Sequence, residues 1–200
     1  MAPVHSDAPP ARSSGFSDTM TGQKRPRPKA FVLTLLLVAA TSAVTVLQVS
    51  FGPLLAEVGL PGSGPAALSA AVALAIVDAL ALLIGLTVIL AAFAVIARPA
   101  ERRLSVLITL AASALLGTAC LEILVVLAHL ATTGTAPVSP SPSLDAWLPG
   151  NVWRAASASN AVLLALVGSG LRRVAAWSAG RIATLLLLLA LLMAAIAAVG

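Results

Sequence analysis

Asp78 and Glu122 are the two acids that stand inside long apolar runs, and an ionisable group in such a setting is where chemistry would concentrate. Asp78 lies twenty residues before Arg98 and Glu122 twenty after Arg102, on either side of the polar turn Arg98-Pro99-Ala100-Glu101-Arg102-Arg103. If both runs are helices rising from that turn, each acid stands about 30 Å above it at ~1.5 Å per residue, so the two reach nearly one height. Two carboxyl groups so placed can share a proton, because both cannot ionise cheaply in a low dielectric. That would suit proton or cation handling. The plainer role is interhelical hydrogen bonding, or a place in the outer headgroup layer if the helices stand upright.

Three further polar residues fall in the same outer half. His129 follows Glu122 by seven residues, two turns along one helix face and about 10 Å away, a gap that water or substrate would have to bridge. Gln48 and Asn160 sit at a comparable depth on neighbouring runs. The candidate intramembrane polar site is therefore Gln48, Asp78, Glu122, His129 and Asn160. Glu122 with His129 is the one conceivable acid/base pair for a membrane enzyme.

Other chemistry is thin. There is no His-Glu-x-x-His helix, no phosphate-cradling Gly-rich loop with lysine and no Gly-x-Ser-x-Gly elbow. With two histidines in the chain, a metal site would have to combine Asp78, Glu122 and His129, and no metal or other cofactor is expected. Cys120 is the single cysteine, so no internal disulfide forms, and its expected role is that of a small buried residue within a span.

The elements that must position these residues follow from composition. Of the 200 residues 60% are hydrophobic and 10% charged, far from the roughly 25% charged content of soluble domains. Five apolar runs, at about 31–51, 66–97, 104–131, 152–171 and 182–199, are long enough for transmembrane helices. The expected fold is an all-α, polytopic integral membrane bundle of five spans. The second run, if wholly helical, would reach ~48 Å against ~30 Å of hydrocarbon, which implies tilt or projection. A cleaved signal peptide is the rival reading of the first run, but apolar sequence continues well past its small residues.

Residues 1–30 carry Pro, Ser, Gly and Arg without apolar periodicity and are expected to form a disordered tail. Its end, Lys24, Arg25, Arg27 and Lys29, is placed to touch anionic lipid headgroups. Gly52 to Pro65, with Glu57, and Thr132 to Gly150, with four prolines, read as loops. The tail, the Arg98 turn and the Arg172 turn hold five, three and three cations, and the opposite side holds Arg154 alone. Eleven of twelve on one side places the N-terminus in the cytoplasm and the C-terminus outside, in the cell membrane of what the alanine-, leucine- and arginine-rich composition suggests is a bacterium. Trp147, Trp153 and Trp177 fall near the expected interfaces, where indoles favour the headgroup layer. A net charge of +5 in a soluble chain would suggest nucleic acid, but here the cations flank spans and no nucleic-acid partner is expected.

Small residues recur at Ala67, Ala71 and Ala75, at Ala111 and Ala114 to Gly117, and at Ala155, Ala158 and Ser159, so the second, third and fourth spans are expected to pack most closely. The leucine-rich fifth span suits lipid or a partner helix. The bilayer is one expected partner, and another membrane protein or a second copy is the other. The function that fits best is a non-catalytic accessory or interaction subunit of a membrane assembly. The alternative is a small proton- or cation-coupled transporter using Asp78 and Glu122, and a membrane enzyme comes third.

Overall fold

A computed structural model describes residues 28–51, 65–97, 104–137, 141, 153 and 155–199. The tail with Lys24, Arg25 and Arg27, the loop with Glu57, the 98–103 turn, Trp147 and Arg154 lie outside the described residues. Five helices follow one another: α1 (Pro28–Phe51), α2 (Pro65–Ala97), α3 (Leu104–Thr133), α4 (Ala158–Arg173) and α5 (Ala179–Val199). The chain is an all-α bundle, and four of its helices, all but α4, are long and apolar enough to cross a membrane.

Helix boundaries follow local chemistry. Proline opens both α1 and α2, where its missing N–H has no intrahelical partner to lose and its fixed φ suits the first turn. α2 is described to Ala97, and Pro99 follows two residues later in the sequence, a residue type that cannot continue the helix's hydrogen bonding. α3 ends at Gly134, whose left-handed φ of 75° lets its N–H donate to the Leu130 carbonyl at 2.9 Å. Hydroxyls inside the helices mostly bond backward to their own backbone, as when Thr41 Oγ1 donates to the Leu37 carbonyl at 2.9 Å and Thr118 Oγ1 to the Leu115 carbonyl at 2.7 Å. Such groups need no partner from another helix.

α4 departs from the expected 152–171 span. It has 16 residues, about 24 Å at ~1.5 Å per residue, because the chain ahead of it turns instead of winding. The Ala156 N–H donates to the Trp153 carbonyl at 3.1 Å, and Ser157, extended at φ −98° and ψ 158°, caps the helix by accepting from the Asn160 N–H. At the other end α4 runs two residues further than expected, with Arg172 and Arg173 in the last turn, where cations complement the helix dipole.

The helices run up and down. Lys29 at the start of α1, Ser105 at the start of α3 and Gly170 and Val174 around the end of α4 line one small cavity. Phe93, near the end of α2, stacks on Trp177 in the link between α4 and α5. One end of the bundle thus gathers the starts of α1, α3 and α5 and the ends of α2 and α4, and with them Lys29, Arg172, Arg173 and Arg181. This is the basic end.

α3 is the central helix and packs on α1, α2 and α4, while α5 leans on α4. The tightest interface is α1 with α3, and it exceeds that of α2 with α3, so the expected core of the second, third and fourth spans is corrected by the insertion of α1 against both hairpin helices. Small side chains allow it: Ala111, Ala112, Ala114 and Ala119 of α3 are buried, and Ala40 of α1 packs on the same cluster. The expectation for α4 itself holds, since Ser159 is buried and Gly170 receives Leu110 of α3 where a side chain would collide. Cys120 is exposed on α3, not buried as expected. Trp177 differs in the opposite sense: it is 3% exposed, held in the core by Phe93, and its indole N–H has no hydrogen-bond partner.

Candidate functional site

The candidate polar residues, in the half of the bundle away from the basic end, come from four helices, and the structure brings only some of them together. Glu122 is half-buried on α3, with the hydroxyl of Ser159, from the second residue of α4, directed at its carboxyl. The contact falls short of a well-formed hydrogen bond, and the Ser159 Oγ, fully buried, has no other partner. Asp78 is close enough for its charge to reach Glu122. Asp78 itself is exposed on the flank of α2, beside Leu74, Val77 and Leu82, which are also exposed.

The other candidates have separate surroundings. Asn160 is half-buried, but its side-chain amide donates to the Ala155 carbonyl at 2.9 Å and its N–H to Ser157 Oγ at 3.2 Å, so it stabilises the start of α4. His129 is half-buried two turns beyond Glu122, and its backbone carbonyl accepts from the Thr133 hydroxyl at 2.8 Å. Gln48 is half-buried beyond Leu47, which packs on a small apolar cluster of Val44, Val126 and Ala136. Among the described residues no group of three or more His, Cys, Asp or Glu side chains could hold a metal ion.

Two residues complete the site that sequence reasoning did not assign to it. Ser159 reads in the sequence as a small packing residue, and its polar role depends on which helix α4 packs against. Ser141 reads as part of a mobile Pro-rich loop, yet its Oγ accepts a hydrogen bond from the Ser159 N–H at 3.0 Å. That bond ties the loop to the first turn of α4 and satisfies an N–H that a helix start leaves open. Eighteen residues separate the pair, and no local pattern announces it.

No protein family, characterised relative or solved structure matches the chain. The chemistry of the site therefore stands on its own residues. Glu122, Asp78 and the Ser159 hydroxyl can exchange a proton or accept a hydrogen-bond donor. The arrangement opens on the flank of α2, where Asp78 is exposed, while at the opposite end one cavity between α4 and α5 is lined by Arg172 and Arg173 and another between α1, α3 and α4 by Lys29.

Proposed function

We propose that the protein is a non-catalytic, multi-pass subunit of a membrane assembly, seated in a bacterial cell membrane with its basic end in the cytoplasm. One observation carries the reading: the Asp78 carboxyl lies on the outer flank of α2 among exposed apolar side chains, with no hydrogen bond or ion pair of its own among the described residues. An acid on a lipid-facing flank is expensive, and the cost falls when another membrane helix covers it and offers a donor or a cation. The same flank carries Ala81 and Gly85 one and two turns from Asp78, both exposed, and a side chain at Gly85 would meet nothing within 4 Å. Small residues at that spacing let a second helix come close.

Orientation rests on charge. The cations counted along the sequence and the described Lys29, Arg172, Arg173 and Arg181 favour the basic end as the cytoplasmic one. The partner is a different membrane protein or a second copy of the chain.

The alternative reading, a small proton- or cation-coupled transporter, is favoured by the coupling of Asp78 to Glu122 and by the buried Ser159 hydroxyl beside them. Flux measurements in proteoliposomes separate the two. The subunit reading expects proton and sodium leak no greater than in protein-free vesicles, unchanged in Asp78→Asn and Glu122→Gln. Flux above that background, abolished by either substitution, would establish the transporter instead.

A further inference from the structure

We infer that the groove between α4 and α5 at the basic end is a binding site for one anionic phospholipid, with the phosphate held by Arg172 and Arg173 and an acyl chain laid between the two helices. The cavity has a volume of about 600 Å³ and is lined from α4 by Leu164, Gly168, Arg172 and Arg173 and from α5 by Ile182 and Leu186. Its chemistry changes along its length. At the mouth are two guanidiniums in the last turn of α4, and eight residues back, about 12 Å deeper at ~1.5 Å per residue, is Leu164. The deeper walls are aliphatic. A phosphate with an attached hydrocarbon chain matches that sequence of surfaces, whereas a free phosphate would leave most of the groove empty.

No described acid compensates the charges at the mouth. Arg172 and Arg173 form no ion pair among the described residues, and the described acids, Asp78 and Glu122, sit at the other end of the bundle. Ser169, also in the lining, spends its hydroxyl on the Leu166 carbonyl at 3.1 Å, so the guanidiniums are the donors that face a ligand. Their planar forks suit phosphate oxygens, and a net-negative headgroup is preferred over a zwitterionic one because no acid among the described residues lies near the two cations. Gly168 shapes the deeper part. A Cβ there would stand 3.0 Å from Leu186 Cδ1, so the glycine is what lets α5 close over α4 at the groove's floor. Ala165 and Ala183 are exposed in the lining and keep the channel open.

The site does not depend on the subunit role proposed above. It is tested by native mass spectrometry of the full-length protein in mild detergent, titrated with phosphatidylglycerol or phosphatidylcholine. Wild type should retain one phosphatidylglycerol at concentrations where phosphatidylcholine is not retained. Arg172→Gln with Arg173→Gln should weaken retention roughly 25-fold, the effect of removing two cations from an anionic headgroup. Ala183→Phe should weaken it to a similar degree with both arginines in place, because the ring fills the acyl channel from an exposed position. Arg172→Lys with Arg173→Lys should keep most of the preference, and Lys29→Gln, which alters the separate cavity, should change nothing. Unchanged retention in the double glutamine variant would overturn the proposal; if that variant fails to insert, unchanged retention in Ala183→Phe overturns it equally. Displacement of the lipid by millimolar glycerol 3-phosphate would show that a soluble phosphate is the ligand and would overturn it as well.

Discussion

The Phe93 ring of α2 stacks on the Trp177 indole of the α4–α5 link, with centroids 5.5 Å apart and planes inclined by 27°. This contact ties the end of α2 to a segment eighty-four residues later. The backbone assists: Ala176 takes a left-handed φ of 52°, and the Trp177 N–H donates to the Leu171 carbonyl at 3.1 Å. Trp177→Ala should lower stability by about 3 kcal/mol, as expected for a buried aromatic whose cavity cannot fully collapse. Trp177→Phe keeps a stacking partner and removes an indole N–H that has no acceptor, so it should lie within about 1 kcal/mol of wild type. Unfolding by steric trapping in bicelles, on both variants, checks the pair of outcomes.

Two glycines make a contrast that depends on what each one faces. A Cβ at Gly170 would come within 2.5 Å of Leu110 Cδ1 and 3.2 Å of its Cγ, so both the branch and the tip of this buried side chain would have to shift toward the small cavity it lines. Gly117 is met by Leu166 of α4, a partly exposed side chain that can swing outward. Gly170→Ala should therefore cost about 1 to 2 kcal/mol by displacing the buried Leu110 from the α3–α4 interface. Gly117→Ala should cost under about 1 kcal/mol, with the gain in helix propensity offsetting part of the clash. Equal effects in the same unfolding assay would show that the α3–α4 packing is not as described.

Much of the fold is legible in the sequence because bilayer thickness and backbone satisfaction leave few choices. Four of the five apolar runs become the span-length helices α1, α2, α3 and α5, with Gly or Pro near their ends in the sequence. Counting residues from the 98–103 turn puts Asp78 and Glu122 at one height, and Asp78 is within electrostatic reach of Glu122. Depth is a one-dimensional quantity, so counting reaches it. Lateral neighbours are not: nothing in the sequence says that α1 packs on α3 more closely than α2 does, that Ser159 faces Glu122, or that Cys120 faces outward. Asn160 shows a further limit. Its depth suggested the polar site, but amides near a helix start find backbone partners first.

Glu122 and Ser159 should behave as a coupled pair. Glu122→Gln and Ser159→Ala, alone and together, should give a double-mutant interaction of about 0.5 kcal/mol or more, since the buried Ser159 hydroxyl is directed at the Glu122 carboxyl across the α3–α4 interface and has no other partner. Asp78→Asn should alter the Glu122→Gln effect without perturbing Ser159→Ala, because Asp78 acts on Glu122 through charge alone. Additive energies throughout would dissolve the site into independent surface groups.

Orientation has a direct chemical check. With Cys120 replaced by Ala, cysteine placed at the exposed Thr135 or the exposed Ser178 should distinguish the two sides. An impermeant maleimide added to intact cells should label the Thr135→Cys protein and leave Ser178→Cys unlabelled until the membrane is opened. The reverse pattern would place the basic end outside.

That the chain works as one component of a larger membrane assembly is tested most directly by weighing it as extracted from its own membrane. Native mass spectrometry after extraction in mild detergent, without overexpression, should find the 20.0 kDa chain in a particle of fixed stoichiometry, with another membrane protein or with further copies of itself. Asp78→Leu should release the chain from that particle while leaving it inserted and helical. A lone chain, accompanied by lipid and detergent only and indifferent to substitution at Asp78, would contradict the account.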